Sequence, residues 1–504
     1  MTDELLRRVA AEHGTPTYVY DLGSVTRRHA ALAAAFPGAD IRYAVKANAL
    51  GAILRHAVRL GMGAEALTAG ELERVLRAGF PPDRVVLGGP GHTPALVERA
   101  VEVGIGLVSL DSRGAWELWR DTRGPARFVV RLNPGFDPHT HEHLATAAAY
   151  SKFGLPIAEA VAVADEVAAS GRLAGFHVHA GSMLSDPEVA HLITAALEPL
   201  YQRFDGLDVV DFGGGYAVPD APLTAFAEPL LAFARRFGVT PLIEPGRYLV
   251  AEAGVLLTTV LHVKRGGPVE HLVADAGMAD LLRPALYGAR HPVRVVGSES
   301  VREADPAAGD PVDLDGPLCE NADRLGRDVG LVDVAPGALV AVGQAGAYGY
   351  AMASNYASSM RPAQVVVDGD TVTLAARREE PSDLWRLEDP GATPEQALDR
   401  ALAQLARGRS GLEAVYDAFA APLQAKVGSL EDMRRTFGNE LYSPLVGSGT
   451  PVTLGMQVRG DVARAEVRAT DGSVYLVSLA RRDHGHQAGS WTITALARDV
   501  PGGS

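Results

Sequence analysis

Ile41-Arg42-Tyr43-Ala44-Val45-Lys46-Ala47-Asn48 is a short run of strand-forming residues that breaks abruptly into a lysine and an asparagine, with a helical stretch after it. The same unit recurs from about Asp40 to Arg247. A β-branched run ends in polar or glycine-rich residues, and an Ala/Leu/Glu/Arg stretch follows. The predicted strands are Ile41–Val45, Gly63–Leu67, Arg84–Leu87, Gly106–Leu110, Phe128–Leu132, Gly175–His179, Val209–Phe212 and Pro241–Glu244, alternating with helices such as Ala69–Ala78, Thr93–Val103 and Ile157–Ser170. Eight such units predict a (β/α)₈ TIM-like barrel with its chemistry at the C-terminal strand ends. An open doubly wound sheet is the alternative, but no Gly-x-Gly-x-x-Gly turn follows the first strand.

After Val250 the helices thin out. Val255–Val263, Leu339–Val342, Ala363–Val367 and Thr371–Leu374 predict a β-rich domain, which Tyr18–Tyr20 is placed to join. Near Pro390-Gly391-Ala392-Thr393-Pro394 a third segment begins. Helices Pro394–Ala406, Gly411–Ala421 and Leu430–Phe437 precede strands Val452–Val458, Arg464–Ala469, Val474–Arg481 and Trp491–Ala495. Helices first and a meander after make a small α+β accessory domain, similar in pattern to the cones of the nuclear-transport-factor-2 type. The expected division is 1–35 (joining the β-domain), 36–252 (barrel), 253–385 (β-domain) and 386–504 (accessory).

At 504 residues the chain is long enough for two or three domains. A formal charge of −14 argues against a nucleic acid or an anionic membrane as partner. A single cysteine forbids an internal disulfide and suits a reducing compartment. The start, Met1 to Arg8, lacks a signal peptide's apolar core, so the expected location is the cytoplasm.

The strand ends carry the chemistry. Lys46 is either a snorkelling surface residue or a partly desolvated amine, made a carbonyl nucleophile by a lowered pKa. His177 and His179 end the sixth strand, either as core histidines or as flat partners for an aromatic ring, with Ser182 nearby for a phosphate. Gly213-Gly214-Gly215 is either a tight turn or a phosphate cradle. Glu244 could pair with a protonated pyridine nitrogen, and Arg247 could grip a phosphate or carboxylate. Together these groups outline pyridoxal 5′-phosphate.

With those motifs in order, the chain resembles the fold-type III pyridoxal-phosphate decarboxylases, and among them the diaminopimelate decarboxylases. Arg283-Pro284-Ala285-Leu286-Tyr287-Gly288, Cys319-Glu320-Asn321-Ala322-Asp323 and Gly346-Ala347-Tyr348-Gly349 extend the resemblance from about Thr15 to Leu384. It implies an alanine-racemase-type barrel, with Lys46 as the Schiff-base lysine and Glu244 facing the ring nitrogen. His179 is then the ring-stacking histidine, and Ser182, Gly213, Gly214, Gly215 and Gly246 are cofactor contacts. Arg247, Arg283 and Tyr287 would bind substrate carboxylates, Glu320 the distal ammonium, and Tyr348 both cofactor and substrate. Cys319 is implied as the proton donor after CO₂ leaves. Cys319 and Glu320 are implied to reach a partner's barrel, giving a homodimer with shared active sites. The implied reaction takes meso-2,6-diaminopimelate to L-lysine, the last step of lysine biosynthesis, with no metal.

Four residues depart from the family pattern: Met183 replaces a glutamine, Ala180 a β-branched residue, Glu65 an aspartate and His92 a lysine, and of these Met183 and His92 are expected near the substrate. Met183 and the added domain leave open another amino acid or a carrier-tethered aminoacyl group, and a non-catalytic cofactor-binding protein is the alternative of another class. Asp483-His484-Gly485-His486 is either a hairpin loop or a metal site.

Overall fold

The computed structural model describes residues 1–135, 151–297, 311–331, 333–385, 393–439, 441–446, 449–481 and 491–498. The Asp483–His486 stretch lies outside them. The chain forms two compact units, Met1–Glu379 and Glu380–Ser504. No helix of the described residues is long and apolar enough to cross a membrane.

Strand β1 is Thr17–Asp21. Strands β2 (Asp40–Ala44), β3 (Gly63–Ala66), β4 (Val85–Leu87), β5 (Leu107–Leu110), β6 (Arg127–Arg131), β7 (Leu173–His177), β8 (Val209–Asp211) and β9 (Thr240–Ile243) follow. β2 to β9 are parallel and close into a barrel, β2 pairing with β9. The predicted boundaries fall within a residue or two of these. The turns punctuate as their chemistry demands. Thr68, Thr93 and Ser112 accept backbone N–H groups at helix starts. Gly79, Gly104 and Gly238 end helices in the left-handed region.

Alternation along the strands separates two layers. Val86, Leu107, Val129, Ala174 and Leu242, with Val209 against them, form an apolar cluster of their own, while neighbours such as Val85, Leu87, Val108, Phe128 and Phe176 pack with the helices. Two residues further along five of these six strands stand Gly88, Ser109, Arg131, Asp211 and Glu244; β7, whose pairing with β6 has a register shift, is the exception. Within one strand repeat the same-facing positions turn from apolar to polar at the C-terminal end. That change marks the site before any ligand is considered.

One buried pair there is structural. Arg131 Nη1 donates to Asp111 Oδ2 at 2.7 Å, and Asp111 Oδ1 accepts the Gly154 N–H at 2.9 Å. Both side chains are buried. Asp111→Ala strands a buried guanidinium and is expected to cost about 3–5 kcal/mol, read as a lowered denaturation midpoint.

The remainder of the first unit is β-rich: β10 (Gly254–Lys264), β11 (Glu270–Ala274), β12 (Val293–Val295), β13 (Val312–Asp315), β14 (Arg324–Gly326), β15 (Leu339–Val342), β16 (Ala363–Asp368) and β17 (Thr371–Ala376). β1 lies between β10 (antiparallel) and β16 (parallel), so the N-terminal strand does join this sheet. The helix after it, Leu22–Ala35, buries Leu22, Val25 and Leu32 in the same core as the barrel.

In the second unit, helices Pro394–Leu405, Leu412–Asp417, Ala421–Val427 and Leu430–Phe437 precede a meander of β18 (Val452–Arg459), β19 (Val462–Arg468), β20 (Val474–Arg481) and β21 (Trp491–Arg498). The single helix expected over Gly411–Ala421 stops at Asp417. Ala418 and Ala420 exchange backbone hydrogen bonds with Ile493, and Pro422, lacking an N–H, restarts a helix. Its core includes Leu398, Leu402, Phe419, Met433, Phe437, Tyr475 and Val477.

Candidate active site

The polar strand ends open on a cavity of about 280 Å³ lined by Lys46, Glu65, Arg131, His177, His179, Ser182, Gly215, Glu244, Gly246, Arg247, Tyr287 and Tyr348 among others. Residues that sequence placed on four strand ends (Lys46; His177, His179 and Ser182; Gly215; Glu244, Gly246 and Arg247) thus line one cavity with Tyr287 and Tyr348 of the β-rich part.

Lys46 sits in a single 3₁₀ turn, Val45–Ala47, directly after β2. Its side chain is 35% exposed, and Nζ lies 3.3 Å from Glu65 Oε2 on the neighbouring strand β3. Burial pulls the amine's pKa down, but the carboxylates, Glu65 foremost, outweigh it and hold the pKa above its usual value. The expectation that desolvation alone would lower this pKa is corrected by that ion pair. Glu65→Gln removes the opposing charge at nearly constant volume. Capture of the cofactor aldehyde by cofactor-free protein is then expected to shift to lower pH, the neutral amine fraction rising about tenfold per unit of pKa lost. Stopped-flow absorbance against pH checks it; an unmoved profile contradicts it.

Tyr348 is brought over Lys46 from the second half of the unit. Its backbone N–H donates to the Ala47 carbonyl at 2.8 Å, and Asn48 Nδ2 donates to the Gly346 carbonyl at 2.9 Å. Tyr348 holds φ +57°, a strained conformation for a non-glycine residue and one that clusters at functional sites.

The far wall is the Gly213–Gly215 loop. Gly213 has φ +63°, and a Cβ there would stand 2.6 Å from His179 Nδ1. The Gly214 N–H donates to that same Nδ1 at 3.1 Å, which fixes the imidazole proton on Nε2 if the ring is neutral. It is neutral: burial, then Lys46 and Arg131, hold His179 well below its usual pKa. Arg247 Nη2 donates to Ser182 Oγ at 3.3 Å, and its guanidinium lies over the Tyr348 ring at 4.8 Å.

At the base, Glu244 is buried with no partner for Oε1. Burial, then Asp211 and Glu65, push its pKa well up. A cation delivered to Oε1 would offset that cost, as a protonated ring nitrogen does. His177 bonds Ser109 Oγ through Nδ1 at 2.8 Å and leaves Nε2 without a hydrogen bond, 3.6 Å from Glu244 Oε2. The site therefore offers an amine, an orphaned carboxylate, a flat neutral imidazole and a close-approach glycine loop. That donor set fits pyridoxal phosphate.

Arg283 is not on the cavity wall but lies close enough to Arg247 that the Arg247 charge, after burial, lowers its pKa. Cys319 is exposed, and Glu320 is paired with Tyr356; neither reaches the cavity of its own chain. The departures at Met183 and His92 were expected near substrate, but neither lines the cavity. Met183 (φ +63°) turns the chain so that Leu184 bonds Gly215, and His92 Nδ1 accepts from Trp119 Nε1 at 3.1 Å. Sequence missed Arg131 and Phe153 as lining residues, the guanidinium over the ring at 5.0 Å. Arg131's position at a strand end was the available signal; nothing local marks Phe153.

Residues 22–251 match the family model for the pyridoxal-binding domain of pyridoxal-dependent decarboxylases. Diaminopimelate decarboxylase of Deinococcus radiodurans is 38% identical over 384 residues, covering 76% of this chain and 98% of that protein. The enzyme of that name from Pseudomonas aeruginosa is 38% identical over 399 residues, covering 75% of this chain and 94% of its own. Among solved structures, diaminopimelate decarboxylase of Helicobacter pylori, complexed with L-lysine, superposes with a TM-score of 0.70 at 31% identity, over 76% of this chain and 99% of that one.

Proposed function

The chain belongs to the pyridoxal-dependent decarboxylases, in the diaminopimelate decarboxylase family, and from that premise we propose how its residues decarboxylate meso-2,6-diaminopimelate to L-lysine and CO₂. The observation that carries the assignment of roles is the convergence of Lys46, His179, Glu244 and the Gly213–Gly215 loop on one cavity. Lys46 would hold the cofactor aldehyde covalently, and Glu244 Oε1 would take the ring nitrogen's proton-bearing edge. His179 would lie on the ring face. Ser182, Gly213, Gly214, Gly215, Gly246 and Arg247 would surround the phosphate. Bound there, the cofactor supplies an electron sink for the pair left at the α-carbon when CO₂ departs.

The chain's own groups do the rest. Arg247, Arg283 and Tyr287 would bind carboxylate, and the two arginines share a desolvated, cation-rich corner without an ion-pair partner among the described residues. Glu320 would receive the distal ammonium. One cation and one anion suit a substrate whose distal end is itself an amino acid; a simple diamine-forming reaction would need no second arginine. Cys319 would return a proton to the α-carbon.

Because Cys319 and Glu320 are exposed in one chain and its own cavity lacks them, the same proposal includes a homodimer in which each chain completes the other's site. A cytoplasmic location belongs to it too, supported by the need to keep Cys319 a thiol.

Expression in a lysine auxotroph lacking its own decarboxylase tests the substrate. Growth without lysine is expected, and failure of soluble protein to rescue growth would count against diaminopimelate.

A further inference from the structure

Arg283 opens the short helix Arg283–Tyr287 and is held by something other than a carboxylate. Its Nη1 lies 3.0 Å from Nε2 of His291, and the opposite ring nitrogen, Nδ1, lies 2.9 Å from the Gly343 carbonyl. A guanidinium only donates and a carbonyl only accepts. Both contacts are satisfied by one tautomer alone, with the proton on Nδ1 and a lone pair on Nε2. The ring is also clamped. Gly343 follows directly on β15, and its N–H donates to the Pro292 carbonyl at 2.8 Å. His291 is 8% exposed, and burial pushes its pKa down to about 4, so the acceptor stays neutral through the ordinary pH range.

We propose that His291 is a positioning residue for substrate recognition: its Nε2 fixes the plane of the Arg283 guanidinium and aims the free edge at the substrate's distal carboxylate. This rests on the carboxylate-binding role proposed for Arg283. The choice of partner has a physical reason. A carboxylate in the place of His291 would pair with Arg283 and compete with the substrate. A neutral acceptor orients the guanidinium and leaves its charge unspent. Arg283 Nε is buried without a partner, and Arg247 stands near enough to depress the Arg283 pKa further, to about 10 after burial has lowered it. An anion arriving between the two relieves both.

The test compares two inhibitors of the holoenzyme. L-Lysine keeps the distal carboxylate and ammonium; 1,5-diaminopentane keeps only the amines. Wild type is expected to prefer L-lysine. His291→Phe is expected to lower that preference at least about tenfold, the scale of one hydrogen bond to a charged group. KM for substrate should rise by more than kcat falls. His291→Gln, which can both accept from Arg283 and donate to Gly343, should restore most of the preference. Should His291→Phe fail to fold, judged by its cofactor band and melting midpoint, His291→Ala carries the same test without added bulk. If Arg283→Met loses the preference while the His291 variant keeps it, the positioning role is overturned and the Arg283 assignment stands. If Arg283→Met also keeps it, the carboxylate assignment fails and the inference with it.

Discussion

Lys46→Ala is expected to lower turnover by more than about 10⁴-fold, because one side chain serves both as nucleophile and as an acid–base group. The visible absorbance band of covalently held cofactor should vanish with it. Lys46→Arg separates charge from nucleophilicity. It keeps a cation within reach of Glu65, whose carboxylate lies 3.3 Å from the amine, yet a guanidinium stays protonated and does not add to an aldehyde. The arginine variant should therefore bind cofactor without the covalent band and be as inactive as the alanine variant. Either variant retaining the band would move the anchor to another residue.

Cys319→Ala is expected to cost about 10²- to 10⁴-fold in turnover, the usual contribution of a positioned proton donor. The informative experiment pairs it with Lys46→Ala. If each site draws Lys46 from one chain and Cys319 from the other, a mixed dimer holds one site with both lesions and one with neither. Co-expression of the two inactive chains in equal amount should then recover about a quarter of wild-type activity, since half of the dimers formed at random are mixed. A site built within one chain gives no recovery. The exposed position of Cys319, away from its own chain's cavity, is what makes the recovery expected.

The barrel was legible because its strands are buried on both faces and read as short β-branched runs between strong punctuation. Four strands of the β-rich part were not. Arg324–Gly326 has three residues with one buried side chain, Leu325, and Val293–Val295 is no longer. Val312–Asp315 and Glu270–Ala274 carry charge into the sheet, where His271 pairs with Asp315, and Arg324 with both Asp313 and Asp315. A strand held by partners on other strands has no local signature.

The site divides along the same line. Lys46, His179, the triple glycine and Glu244 lie in local motifs, and Lys46, His179, Gly215 and Glu244 meet in one cavity. Glu65 stands out in the sequence only as a departure, yet from the neighbouring strand it is the foremost charge holding the Lys46 pKa up against burial. Phe153 is packed under Arg131, itself held by Asp111, twenty residues earlier in the chain. His291 belongs to no motif, and its importance lies in two distances to Arg283 and Gly343. Sequence patterns record which residue types end a strand; which residue faces which across the barrel follows only from closure.

The most direct measurement is product analysis with purified protein, pyridoxal phosphate and meso-2,6-diaminopimelate. Formation of L-lysine and CO₂ in equal amounts, abolished by Lys46→Ala, is the predicted result. Protein that shows the covalent cofactor band but yields no lysine from diaminopimelate would contradict it.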